Sequence, residues 1–178
     1  ELTRDIAQRF NGIYGDVFTI PEAYIGKKGA KIMSLQEPGK KMSKSDTNAN
    51  ATILLLDDTD TIIRKFKRAV TDSESEVRYA EEKPGISNLM DIYSAVTGKT
   101  YEEIEKEFAG KGYGDFKLAV GETVADHLKP LQERYEQLMK DKAYIESMIK
   151  QNDEKAAYYA NKTLRKVQKK VGLTERIR

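Results

Sequence analysis

The stretch Asp57-Asp58-Thr59-Asp60-Thr61-Ile62-Ile63-Arg64-Lys65-Phe66-Lys67-Arg68-Ala69-Val70 marks where this sequence changes character. Asp57 and Asp58 are residue types that cap helix N-termini. Ile62, Ile63, Phe66 and Val70 then recur at helical spacing and predict one inward face. Everything downstream keeps that period. Pro84-Gly85 opens a helix with Leu89, Ile92, Tyr93 and Val96 inward and Gly98 at its end. Thr100, with Glu103 three residues on, predicts a capping box ahead of Tyr101, Ile104 and Phe108. After the turn Gly110-Lys111-Gly112-Tyr113-Gly114, a long helix is predicted over about 115–149, with Pro130 as a kink or join. A last helix is predicted over about 153–171, with Ala156, Tyr159, Ala160, Leu164, Val167 and Val171 on its apolar side.

Upstream of residue 57 the pattern is mixed. Residues 2–13 predict a helix with Leu2, Ile6, Phe10 and Ile13 on one face. Val17-Phe18-Thr19-Ile20 and Ala30-Lys31-Ile32-Met33-Ser34-Leu35 read as short strands, and Pro38-Gly39 breaks regular structure. Two strands do not make a stable sheet. The chain is therefore expected to be mostly α, with residues 1–56 as the tail end of a larger α/β domain and residues 57–178 as an α-helical bundle. Its opening on Glu1 rather than Met adds to the expectation of a piece of a longer protein.

Composition narrows the function classes. Charged residues make up 34% of the 178, and no apolar run approaches the roughly 20 residues of a membrane span. The absence of cysteine excludes disulfides and thiolate–metal sites and suits a cytoplasmic protein. The net charge of +2 conceals a gradient. Residues 57–154 hold 15 Lys/Arg against 22 Asp/Glu, and residues 155–178 hold 8 against 1. A basic end behind an acidic middle suits a polyanion such as RNA, and it equally suits a solvated helix face.

The segment with the most distinctive chemistry is Lys40-Lys41-Met42-Ser43-Lys44-Ser45-Asp46, inside a polar loop at 36–51. Lys41 and Lys44 with Ser43 and Ser45 give a mobile loop two ammonium groups and two hydroxyls that can converge on phosphate oxygens. Such donors suit the charge that moves onto departing pyrophosphate when an acid attacks the α-phosphorus of ATP. A surface loop of the same composition could also be a solvated anion patch or a modification site.

Lys41-Met42-Ser43-Lys44-Ser45 resembles, letter for letter, the KMSKS signature of class I aminoacyl-tRNA synthetases. Several other blocks are similar to the bacterial tryptophanyl branch of that family: Glu1-Leu2-Thr3-Arg4-Asp5, Phe18-Thr19-Ile20-Pro21-Glu22, Gly29–Leu35, Ala69–Ser73, Lys83–Leu89 and Gly110–Gly114. The resemblance implies a ligase that uses ATP, with Mg²⁺, to join L-tryptophan to tRNA(Trp). It implies that Lys41 and Lys44 are catalytic, that Ser43 and Ser45 join them on the pyrophosphate end, and that Met42 and Ile32 lie at the adenine. It further implies that residues 1–56 end a Rossmann-like catalytic domain, that the protein is a homodimer and that the helical region has a tRNA anticodon-binding role; from the residues themselves, no metal ligand is expected. The family's HIGH-like motif, ribose-binding segment and tryptophan pocket find no counterpart in these residues. The resemblance is therefore to the C-terminal portion, which is not expected to activate tryptophan alone. Two other readings stand beside it: a separate helical RNA-binding module that keeps such a loop, and a tyrosyl relative.

Other residues carry weaker signals. His127 stands alone next to Asp126, and a structural or surface role is expected. Asp57, Asp58 and Asp60 outline a cation site, but capping accounts for them. Tyr158 and Tyr159 beside terminal lysines could stack on RNA bases, and Lys117 could meet a tRNA phosphate.

Overall fold

Helices need only local pairing, and a chain whose apolar residues recur every three or four positions spends its backbone on them. The computed structural model describes residues 1–26, 29 and 31–173, and bears out the mostly α expectation. Its helices are α1 (Leu2–Tyr14), α2 (Thr59–Lys67), α3 (Pro84–Thr97), α4 (Tyr101–Glu107), α5 (Tyr113–Met139) and α6 (Lys142–Lys170). None is long and apolar enough to cross a membrane, among the described residues. The chain forms two compact units, one of Gly26–Glu136 and one of Glu1–Ile25 with the chain from Gln137 onward.

Neither expected strand forms. At Val17 and Phe18 the backbone N–H groups donate to the Asn11 side chain, at 3.1 and 3.0 Å, and Asn11 donates back to Phe18 O at 2.8 Å. Those bonds go to a helix side chain and leave nothing for a ladder. Of the second strand, Ala30 lies outside the described residues. The rest makes a single antiparallel bridge between Met33 and Lys41.

In the unit Gly26–Glu136, α2 starts where Asp58 accepts the Thr61 N–H at 2.7 Å. Ile62 and Phe66 point into the core, as expected. Val70 does not and is half exposed, because α2 ends at Lys67 and the helical period stops there; Ala69 is buried in its place. α3 has the most buried surface, with Ile86, Leu89, Met90, Ile92 and Tyr93 inside, while Val96 is only half-buried. Gly85 is needed at its start, since a Cβ there would stand 2.3 Å from the Val70 carbonyl oxygen. Gly98 closes α3 in the left-handed region at φ 78°. Thr100 and Glu103 form the predicted capping box of α4. Tyr93, Phe108 and Phe116 meet edge to face at 4.8–5.9 Å and fill the centre.

The other unit differs from its expected pattern. The long helix stops at Met139 rather than near 149, and α6 begins at Lys142 rather than near 153. Asp141 causes the break: its side chain accepts the Tyr144 N–H and caps α6. α6 has no buried residue among those described, so its expected apolar side is open, with Tyr159 and Leu164 exposed. On α1 the predicted apolar face is also open: Leu2, Ile6 and Ile13 are exposed, and only Ala7 is buried. Phe10 is the member of that face that finds partners, stacking against Tyr14 and Phe18 at 4.8 and 5.0 Å.

Candidate nucleotide-binding loop

A polar loop keeps one shape only if its base is closed. Here Leu35 N donates to Ala51 O at 3.0 Å, and both residues are buried. Inside that closure Ser34 N donates to Lys40 O and Met42 N to Ile32 O, at 2.8 and 3.0 Å, flanking the Met33–Lys41 bridge. The Ser34 hydroxyl accepts from Gln36 N and Glu37 N and turns the chain outward. Lys40 pairs with Glu37, and that hydrogen bond raises the Lys40 pKa.

At the tip, Lys41, Ser43, Lys44 and Ser45 are all exposed. The Ser43 and Ser45 hydroxyls lie 3.0 Å apart and hydrogen-bond to each other. The ammonium groups of Lys41 and Lys44 have no ion-pair partner among the described residues. Two cations and two hydroxyls are thus presented to solvent within five residues, an arrangement suited to phosphate oxygens. No group of three or more His, Asp or Glu side chains that could hold a metal ion occurs among the described residues.

Ile32 and Met42 come together on the inner side of the loop. Both are half-buried against the core, and with Ile53, Phe66, Ile92 and Val96 they line an apolar cavity of about 210 Å³. These two residues stand ten positions apart in chain order, and the bond from Met42 N to Ile32 O makes them neighbours.

A second polar cluster lies deeper in the same unit, and sequence reasoning did not find it. Lys83, 1% exposed, donates to Tyr113 OH at 2.9 Å, to Asp72 Oδ1 at 3.3 Å and to Glu74. Tyr113 OH donates to the same Asp72 oxygen at 2.8 Å. Hydrogen bonding to Glu74, then to Tyr113, raises the Lys83 pKa, although burial opposes it. For Asp72, burial pushes the carboxyl up, but the bonds from Tyr113, the Glu74 N–H and Lys83 outweigh it and hold the pKa below its ordinary value of 3.8. Asp72 Oδ2 is buried with no hydrogen-bond partner among the described residues. Lys117 donates to Ala69 O and Thr71 Oγ1, both at 2.9 Å, and burial lowers its pKa. Its ammonium is therefore engaged with the fold through two hydrogen bonds. The signal that could have revealed the cluster is three separated blocks, 69–74, 83 and 110–117, each with a charge among apolar residues.

The remaining residues singled out from sequence are resolved simply. His127 is exposed on α5. Asp58 caps α2, and Asp57 pairs with Lys65 at 2.5 Å. Tyr158 and Tyr159 are exposed on α6, with their rings edge to face at 5.3 Å.

A family model described as tRNA synthetases class I (W and Y) matches residues 1–129. The chain belongs to that family. This synthetase-family chain is 53% identical over 172 residues to the tryptophan–tRNA ligase of Clostridium tetani, a match covering 97% of the chain and 51% of that protein. It is 52% identical over 174 residues to the tryptophan–tRNA ligase of Listeria monocytogenes, covering 97% and 52%. It therefore spans about half the length of the curated relatives it matches. Among solved structures, the tryptophanyl-tRNA synthetase of Mycoplasma pneumoniae superposes with a TM-score of 0.86 at 30% identity, covering 97% of this chain and 52% of that one. The Campylobacter jejuni enzyme, solved with ADP and tryptophan, gives 0.64 at 27%, covering 96% and 52%. These relatives bear out the resemblance to the tryptophanyl branch.

Proposed function

We propose that this chain is the KMSKS-loop and helical portion of a tryptophan–tRNA ligase. The observation that carries the proposal is the loop itself: Lys41, Ser43, Lys44 and Ser45 exposed at its tip, directly above the Ile32–Met42 pair. In the proposed reaction, a tryptophan carboxylate oxygen attacks the α-phosphorus of ATP. Tryptophanyl-adenylate forms and pyrophosphate leaves. The tryptophanyl group then passes to the terminal ribose of tRNA(Trp), releasing AMP. Lys41 and Lys44, aided by the two serine hydroxyls, hold the β- and γ-phosphates and stabilise charge as it gathers on the leaving pyrophosphate. Ile32 and Met42 cover a face of the adenine. Support for the nucleotide comes from the C. jejuni relative, whose structure holds ADP and tryptophan. The loop offers cations and hydroxyls, which suit phosphate and not a metal ion. Mg²⁺ is assigned to the nucleotide, and no step is built on it.

Residues 1–56 are proposed as the end of a Rossmann-like catalytic domain and residues 57–178 as the tRNA anticodon-binding region. Support for RNA is the C-terminal half of α6, where residues 155–170 carry six Lys/Arg and no Asp/Glu, with Tyr158 and Tyr159 exposed among them. A homodimer in the cytoplasm accords with the family resemblance.

Tryptophan-dependent ATP–pyrophosphate exchange by the full-length gene product tests the reading. Lys44→Ala is expected to lower kcat by about 10²- to 10³-fold with KM for ATP little changed. A loss confined to KM, with kcat intact, would contradict the role given to Lys44.

A further inference from the structure

The loop tip is exposed, yet its backbone is fastened from below at two points. The first lies under Lys41. Its bridge partner Met33 donates its N–H to Asn88 Oδ1 at 2.8 Å, and Met33 O accepts from Asn88 Nδ2 at 2.9 Å. Asn88 lies on α3 and is 3% exposed, so its amide is fixed by the core around it. The second fastening lies under Ser43, whose carbonyl accepts the Thr52 hydroxyl at 2.7 Å. Thr52 is itself held: Lys65 Nζ donates to Thr52 O at 2.9 Å and to Asp57 Oδ2 at 2.5 Å. The same Asp57 oxygen accepts Leu54 N at 2.9 Å. Lys65 is 5% exposed on α2, and the side chain of Asp57 is nearly as enclosed.

The two fastenings bracket Met42 and leave Lys44 as the first residue beyond them. Asn88 spends a buried side chain on the Met33 peptide groups, and the half-buried Thr52 spends its hydroxyl on the Ser43 carbonyl. A buried polar side chain costs free energy unless it is satisfied, and Asn88 is satisfied only when the backbone at Met33 occupies this position. A flexible lysine contributes to a transition state only if its Cα is already placed within reach of the departing charge.

We propose that Asn88 and Thr52, the latter held by the Lys65–Asp57 pair, are positioning residues that set where the loop lysines stand during adenylate formation. None of them touches the nucleotide; they act through Met33 and Ser43. The proposal rests on the loop being the pyrophosphate-holding element.

Three measurements on the full-length gene product test it together. Thr52→Val keeps the shape of the side chain and removes the hydroxyl, and Asn88→Ala removes both bonds to Met33. Limited trypsinolysis reads the fastening without any need for activity. Cutting after Lys41 and Lys44 is expected to quicken about threefold to tenfold in Thr52→Val, the factor that one lost net hydrogen bond gives, and by at least as much in Asn88→Ala, which loses two, while cuts elsewhere keep their rates. In pyrophosphate exchange, both variants are expected to lose kcat by a similar factor with KM for ATP little changed. The melting temperature of Thr52→Val is expected to match wild type, which a merely structural role would not allow alongside a kcat loss. Unchanged cutting at both loop bonds in both variants overturns the proposal, whatever the activity. So does quickened cutting with kcat intact in both, provided Lys44→Ala has abolished exchange in the same assay. If Lys44→Ala leaves exchange intact, the reading of the loop as the pyrophosphate holder is what fails, and with it the catalytic purpose of a fastening that the cutting rates still report.

Discussion

Two regions of the Gly26–Glu136 unit are built from the same ingredients and use them in opposite ways. Around Asp72, the lysines at 83 and 117 and the Tyr113 hydroxyl turn inward and bond to one another or to backbone. In the loop at 40–46, Lys41, Ser43, Lys44 and Ser45 stand exposed; the two hydroxyls bond to each other, and Ser43 Oγ also accepts the Ser45 N–H. A buried charge has to be paired, so Lys83 and the Tyr113 hydroxyl have no donor left to offer. An exposed donor is bonded to water, which a phosphate displaces at little cost. Residue type therefore does not single out the proposed site in this chain. What singles it out is whether the donors have already been used by the fold.

The largest effect that could break this comparison is on the loop side. Lys44→Ala is expected to cost exchange about 10²- to 10³-fold in kcat and to leave the melting temperature unchanged. If it destabilised the fold instead, the loop would belong with the inner cluster. On the cluster side the expectation is reversed. Tyr113→Phe removes the hydroxyl shared by Lys83 and Asp72 and is expected to lower stability by about 1–3 kcal/mol in chemical denaturation, with kcat in exchange unaltered. A fall in kcat at full stability would assign the cluster a catalytic part.

A smaller effect is expected where a second set of exposed cations is in play, on α6. Lys162→Ala with Lys166→Ala is expected to reduce the slope of log K for tRNA against log salt by about 1.4–1.8, as two lost phosphate contacts would. An unchanged slope would return α6 to a solvated face. The smallest effect concerns pH. The folded pKa of Asp72 lies below its unfolded value, so its contribution is complete above pH 3.8 and is lost as pH falls through the folded value. Asp72→Asn is expected to flatten the decline in stability below pH 3.8, measured by urea unfolding across that range. A wild-type slope in the variant would show that the inner cluster does not depend on that charge.

Much of this arrangement was legible in the residues. Asp58, Thr100 with Glu103, and Gly98 announced helix ends because capping is a local transaction between a side chain and the next turn. The loop was legible for the same reason, since its chemistry is contiguous: Lys41 to Ser45 are neighbours in sequence and stay together in space. The inner cluster was not, because Asp72, Lys83 and Tyr113 are brought together only by packing. The strands at 17–20 and 31–35 were misread because alternation shows that a segment can be extended but not what its backbone will bond to; Asn11 and Asn88 took those bonds. The apolar faces of α1 and α6 show a related limit. Periodicity identifies which side of a helix is apolar, and Leu2, Ile6 and Tyr159 show that it does not say whether anything covers that side. Even the helix break at Asp141 had a local signal, but an aspartate without a neighbouring glycine or proline gave it little weight against a period running on both sides.

The two fastenings beneath the loop share a property with a bearing on how the sequence can drift. Asn88 grips Met33 by its peptide N–H and carbonyl, and Thr52 grips Ser43 by its carbonyl. Every residue has those groups apart from the N–H that proline lacks, so position 33 is free to change its side chain as far as this contact is concerned. Positions 88 and 52 are not, because only a side-chain amide supplies the paired donor and acceptor, and only a hydroxyl supplies the other donor. Tolerance across each contact thus runs in one direction. In a set of related sequences, the gripping residues should hold still while the gripped position at 33 wanders.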